Sequence, residues 1–128
     1  MTFLFDNDIS YRLVEHLRVE GVDAKALRQE YTESAKDPEW LPTIDGATTI
    51  IITGDCKMRH RAPERAALTQ SRATVLFVHK SVMHLIGLPQ TLWFLKHWDA
   101  LQKFLEGAAR GSHFIVGLNG RPQELPPL

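Results

Sequence analysis

Apolar residues along this chain follow two rhythms. Short unbroken runs at Thr2–Phe5 (TFLF), Thr48–Thr53 (TTIIIT), Ala73–His79 (ATVLFVH) and Ser112–Leu118 (SHFIVGL) read as buried strands. Val22–Leu27 (VDAKAL) reads as a weaker strand. Elsewhere the spacing is helical. Ile9, Leu13, Val14 and Leu17 are separated by four, one and three positions, one face of a helix. Asp6, Asn7, Asp8 and Ser10 offer N-caps before it, and Gly21 offers a C-cap after it. Arg28–Asp37 (RQEYTESAKD) is polar and reads as a loop. Asp37-Pro38-Glu39 is a helix start and predicts a short helix from about Pro38 to Ile44, ended by Gly46. Ala62–Leu68 opens with another Pro-x-x-apolar helical turn. Leu88–Ala109 begins with Pro89 and carries Leu92, Leu95, Trp98, Leu101 and Leu105, a long amphipathic helix ending near Gly107 or Gly111.

Strands alternating with helices predict an α/β fold: a small doubly wound, mostly parallel five-stranded sheet with helices on both faces. The TTIIIT run is apolar throughout, as expected of a central strand covered on both sides. Residues 1–120 form the predicted domain, and residues 121–128 a Pro-rich C-terminal tail with little to pack.

Composition narrows the class without naming a function. A chain of 128 residues, 44% apolar and 23% charged, fits one globular domain with a real core. Fifteen basic and fifteen acidic residues cancel, so any nucleic-acid-binding surface must be local. Cys56 is the one cysteine, which excludes an internal disulfide and suits a reducing cytosol. MTFLFDND lacks the basic start of a signal peptide, and no apolar run reaches the roughly 18–20 residues of a membrane span. The expectation is a cytoplasmic protein with no membrane contact.

The candidate chemistry sits where strands end. Asp6 and Asp8 follow the first strand, Asp55 follows TTIIIT, and Asp37 and Glu39 stand in the segment between. Open parallel sheets bind ligands beyond the carboxyl ends of their strands. If the first and third strands are neighbours, these acids converge and repel unless a cation neutralises them. Hard cations such as Mg²⁺ or Mn²⁺ prefer such oxygen ligands, and a metal-held water can attack a phosphodiester. Lys57, Arg59, His60 and Arg61 follow directly and could grip a polyanion. Plainer roles stand beside these. Asp6, Asp8 and Asp37 could cap helices, Asp55 could form a turn, and the basic run could be a solvated loop. Cys56 is an incidental thiol or a reactive one. His79, His84, His97 and His113 lack metal-ligand spacing and read as structural. Trp93, Phe94 and Trp98 read as core or interface.

FLFDNDISYRLVEHLRVEGVDA, KDPEWLP and TIIITGDCKMRHRAPE together resemble the PIN-like nuclease superfamily. More narrowly, they are similar to the compact VapC-type PIN-like proteins of bacterial toxin–antitoxin systems. The resemblance implies a small doubly wound fold and Mg²⁺- or Mn²⁺-dependent endoribonucleolytic cleavage of RNA. It implies catalytic roles for Asp6, Asp37 (or Glu39) and Asp55, and a metal held among Asp6, Asp8, Asp37, Glu39 and Asp55. Asp8 is an extra acid without a family counterpart. Lys57, Arg59 and Arg61 would hold RNA phosphates. A cognate antitoxin protein and a homodimer are the partners implied. Lys57 stands where relatives with a T-x-D-x-D-F motif carry a second acid, and Glu64 is the nearest candidate for a late one. These departures keep open a catalytically inactive PIN-like module that binds RNA or protein. A response-regulator-like receiver, using Asp55 and Lys80, is a further alternative that leaves Asp37 and Glu39 without a place.

Overall fold

The computed structural model describes residues 1–31 and 36–128, and the Asp37 side chain lies outside it. Its elements in chain order are β1 (Thr2–Phe5), α1 (Tyr11–Val19), β2 (Ala24–Ala26), α2 (Leu27–Glu30) and α3 (Asp37–Trp40). A 3₁₀ turn (Leu41–Thr43) leads to β3 (Thr49–Thr53), and a second (Met58–His60) to α4 (Ala62–Ser71). Then come β4 (Thr74–Val78), α5 (Lys80–Met83), α6 (Leu88–Gly107), β5 (His113–Val116) and β6 (Gln123–Glu124).

Period-two alternation within the apolar strands builds two cores. Phe3, Phe5, Ile50, Ile52, Leu76, Val78, Phe114 and Val116 share one face of the sheet with α1 and α6. Trp98 of α6 seals that layer, edge-on to Phe3 at 5.0 Å and tilted on Phe5 at 5.7 Å. Leu4, Ile51, Val75 and Phe77 face the other way, against Leu27, Trp40, Leu41, Met58, Ala67 and Leu68. Helices therefore cover both faces, as the uninterrupted apolar runs of β3 and β4 require. The strand order is β2-β1-β3-β4-β5-β6, with the first five parallel.

Several expectations need correction. The sheet has six strands rather than five, because Gln123–Glu124 pairs antiparallel with β5. The Pro-rich segment 121–128 is therefore engaged, and Leu125 and Leu128 pack against the second core. The start of the polar stretch 28–37 belongs to a single helical turn, α2, and residues 32–35 lie outside the described residues. The short helix near Pro38 is split between α3 and the 3₁₀ turn, since Pro42 has no N–H to continue the α-helical ladder. The single turn α5 was not anticipated; His79 caps it by accepting the Ser81 N–H at Nδ1, 3.1 Å. No helix among the described residues is long and apolar enough to cross a membrane.

Candidate active site

The first and third strands are neighbours in perfect register, Phe5 opposite Ile52. The chain turns one way from β1 to reach β2 and the other way from β3 onward. Their boundary is the switch point at which open α/β sheets bind ligands. Asp6 and Asp55 stand on its two sides, held by contacts within and between the segments that follow β1 and β3.

Asp6 continues the ladder, donating its N–H to Ile52 O at 2.9 Å. Its Oδ1 accepts the Asn7 N–H at 2.7 Å, and its Oδ2 accepts the Thr53 hydroxyl at 2.7 Å. Thr53 is fully buried, and its Oγ1 also accepts the Asp55 N–H at 3.0 Å. One hydroxyl thus couples two acids that are far apart in sequence. Asp8 Oδ1 accepts the Gly54 N–H at 3.3 Å. A Cβ at Gly54 would lie 2.8 Å from Asp8 Oδ2 and 2.6 Å from Met83 Cε, so a side chain here would push aside the Asp8 carboxylate and the end of Met83. Asp55 Oδ1 accepts the Lys57 N–H at 3.2 Å, and Oδ2 accepts from Arg61 Nη2.

The capping alternative fails for Asp6 and Asp8. Ser10 is the N-cap of α1, its Oγ accepting the Arg12 N–H at 3.3 Å. The two acids are directed at the β3 loop instead. Asp55 does form the turn expected of it, and it also carries charge into the cluster.

Electrostatics show the crowding. Burial raises the Asp6 carboxyl above its ordinary range against the hydrogen bonds from Thr53 and Asn7, and the Asp55 charge adds to the rise. Asp8 is raised to about 7, first by burial, then by the Asp6 charge and, less, by Asp55. Asp8 still presents an exposed edge, so water screens part of this effect. Burial, Asp55 and Asp8 also raise Cys56, whose Sγ donates to Val78 O at 3.4 Å. That thiol is held protonated, which removes it as a nucleophile.

The remaining site residues divide. Glu39 is exposed and turns back to accept the Lys36 N–H at 3.3 Å, a capping contact at the start of α3. Asp37 lies at that same start, with its side chain outside the described residues. Lys57 is exposed beside Asp55. Arg61 is committed to Asp55, and its Nε stands 3.4 Å from Glu64 Oε2, within ion-pair distance but without hydrogen-bond geometry. Arg59 points elsewhere and donates to Pro126 O. His113 is buried edge-on to Phe77, and Trp93, Phe94 and Trp98 are core. Sequence reasoning missed Thr53 and Gly54 as parts of the site. Their signal was the TGD triplet itself, a small donor and a residue without Cβ just before the acid.

Asp6, Asp8 and Asp55 offer carboxylate oxygens at the crevice, and the like charges of Asp6 and Asp8 press for neutralisation. That donor chemistry fits a hard divalent cation. Among the described residues no three carboxylate, histidine or cysteine side chains form a group able to hold a metal ion. A complete ligand set would therefore draw on a residue beyond them, such as Asp37.

A family model described as PIN like domain matches residues 1–80. No curated protein and no solved structure matches the chain. The matched span runs from β1 through β4 and contains Asp6, Asp8, Asp37, Glu39 and Asp55. The strand order would also suit a receiver, so the family match and not the topology sets that alternative aside. PIN-like domains are generally nucleases and typically use divalent metals. With more than half its length matched and its acids gathered at the β1–β3 switch point, the chain belongs to the PIN-like domain family.

Proposed function

We propose that the chain is a Mg²⁺- or Mn²⁺-dependent endoribonuclease acting at the β1–β3 crevice. The observation that carries this is the Thr53 hydroxyl bridge between Asp6 Oδ2 and the Asp55 backbone, which fixes two acids on opposite sides of the switch point. Asp6, together with Asp8 or Asp55, would contribute oxygen ligands to the cation, and Asp37, whose side chain lies outside the described residues, is the candidate that would complete the set. The chemistry supplied by a cation bound there would be neutralisation of the carboxylates and a water of lowered pKa for attack on phosphorus.

The chain's own residues orient the rest. Thr53 and the Asn7 N–H lock both oxygens of Asp6, so its carboxylate has one orientation. Gly54 holds Asp8 Oδ1, which leaves Oδ2 to carry a proton. A carboxyl raised to about 7 can both give and take a proton near neutral pH. Arg61 offsets the Asp55 charge from below the crevice, while Lys57 is exposed at its rim for a phosphate.

The test is cleavage of a single-stranded RNA by the purified chain with Mg²⁺, Mn²⁺ or EDTA. Cleavage should need the cation and vanish in Asp6→Asn and Asp55→Asn. Equal cleavage by both variants would overturn the proposal. The narrower role, toxin of a toxin–antitoxin pair checked by an antitoxin protein, is supported by resemblance to compact VapC-type proteins. Induced expression should then arrest growth for the wild type and not for Asp6→Asn. Growth unaffected by an active enzyme would remove the toxin role and leave the nuclease.

A further inference from the structure

A basic patch next to the crevice carries charge that the protein leaves uncompensated. Arg59 lies in the 3₁₀ turn after β3, and Arg65 follows in α4. Burial and the Arg65 charge both disfavour the charged form of Arg59. The same positive field, after burial, helps lower His113 to about 4. No carboxylate among the described residues pairs with Arg59 or Arg65, in contrast to Arg61 with its Asp55 and Glu64. Arg59 Nη2 has only the neutral Pro126 carbonyl, and its Nε is buried without any acceptor. A guanidinium so placed lacks the anionic, bidentate partner it is shaped for.

What covers it is poorly suited to stay. Residues 125–128 (LPPL) bear no charged side chain, and among the described residues no carboxylate lies within ion-pair distance of either arginine. Two prolines remove backbone donors, and β6 has only two residues. Leu125 N–H donates to His113 O at 2.7 Å, and Leu125 and Leu128 are only partly buried. Between this segment and the basic turn lies a cavity of about 460 Å³, in which Arg59, His60 and Arg65 stand opposite an apolar wall that includes Phe77, Ile115 and Leu125.

We propose that Arg59 and Arg65 form a phosphate-binding site for the RNA backbone, and that the Pro-rich segment covers it and competes with RNA for Arg59. The inference rests on the ribonuclease proposal for RNA as the ligand, while the chemistry recognised is the phosphate group. A strand leaving the acidic crevice past Lys57 would meet this site next. The segment must then lift, exchanging one neutral carbonyl for an anion that satisfies both guanidinium edges.

The test uses the full chain in four forms: wild type, Arg59→Ala, Leu125→Ser/Leu128→Ser, and the triple variant. The paired serines loosen the segment, and Leu128→Ser alone replaces them should the pair fail to melt cooperatively. A fluorescein-labelled 12-nucleotide RNA is titrated by anisotropy in EDTA, so binding is read without cleavage. Loosening should tighten RNA binding about fivefold, and Arg59→Ala should erase that gain, so that the triple variant binds no tighter than Arg59→Ala alone. An equal effect of Arg59→Ala in both backgrounds, or no gain on loosening, overturns the proposal. Inorganic phosphate is the second probe, read by the NMR resonance of Arg59 Nε–H. If phosphate shifts that resonance in the loosened chain but no form binds RNA, the site stands and the ribonuclease proposal falls. If neither probe responds, the site itself is refuted.

Discussion

Asp8 is the carboxyl this fold least favours as an anion, and replacing it by asparagine should raise stability in a pH-dependent way. Its carboxyl is raised from the ordinary 3.8 to about 7 by burial, the Asp6 charge and the Asp55 charge. The folded chain therefore binds more protons than the unfolded chain between those two values. Stability from this group is fully present below about pH 4 and is lost as the pH climbs through about 7. The gap corresponds to at most about 4 kcal/mol. Asp8 has an exposed edge, so solvent screening reduces the expected effect to about 1–2 kcal/mol. Asparagine keeps the acceptor for the Gly54 N–H and removes the charge. At pH 8 without divalent cations, Asp8→Asn should melt about 4–8 °C above wild type, and at pH 4.5 the two should nearly coincide. Some slope should persist in the variant, since Asp6 is raised in the same direction. Calorimetric melting curves from pH 4.5 to 8 in EDTA make the comparison. A Tm difference that stays constant across that range would show that the reasoning from charge crowding is wrong. Adding Mg²⁺ at pH 8 should raise the wild-type Tm more than that of Asp8→Asn, because the variant has less charge to neutralise.

Thr53→Val keeps shape in a fully buried position but leaves Asp6 Oδ2 without its donor and the Asp55 N–H without its acceptor. Urea unfolding should show a loss of about 1.5–3 kcal/mol, and an NMR titration should place the Asp6 carboxyl higher still, since the lost bond was lowering it. Gly54→Ala sets a methyl 2.8 Å from Asp8 Oδ2 and should cost about 1–3 kcal/mol, with Asp8 displaced. RNA cleavage by that variant should fall more than its melting temperature accounts for; full activity would argue that Asp8 has no part in the site. Leu101→Ala, at a fully buried position of α6 remote from the acids, should cost about 2–5 kcal/mol and leave KM for RNA unchanged below the melting transition.

Much of the fold was legible because its strands are apolar runs and its helices keep a stripe. β1, β3, β4, β5, α1 and α6 fall within a residue or two of the expected bounds. What escaped lacks side-chain periodicity. β6 is Gln-Glu, exposed on both residues and joined to β5 by backbone pairing alone, so nothing in its side chains marks it. α5 is a single turn of four residues, too short for its apolar spacing to repeat. Sheet order is likewise invisible locally. The convergence of Asp6 with Asp55 was only conditional until β1 and β3 proved adjacent.

The site was legible as chemistry and not as pairing. An acid at a strand end could equally cap the next helix, and the Ser10 contact decides between the two. The basic run looked like one surface, yet a two-residue step separates opposite fates. Arg61 is drawn back to Asp55 six positions away, while Arg59 meets Pro126 at a separation of 67. No local pattern contains that second partner. The separation bears on the departure at Lys57. Just after Asp55 this chain places cations, and Arg61 offsets Asp55 directly. The uncompensated negative charge of the crevice then belongs mainly to Asp6 and Asp8, the two carboxyls whose protonation the fold favours. A divalent cation entering here would have to displace protons from that pair rather than fill a waiting cage. Its affinity should therefore rise steeply with pH, while a chain with an acid in place of Lys57 would bind it with a flatter dependence.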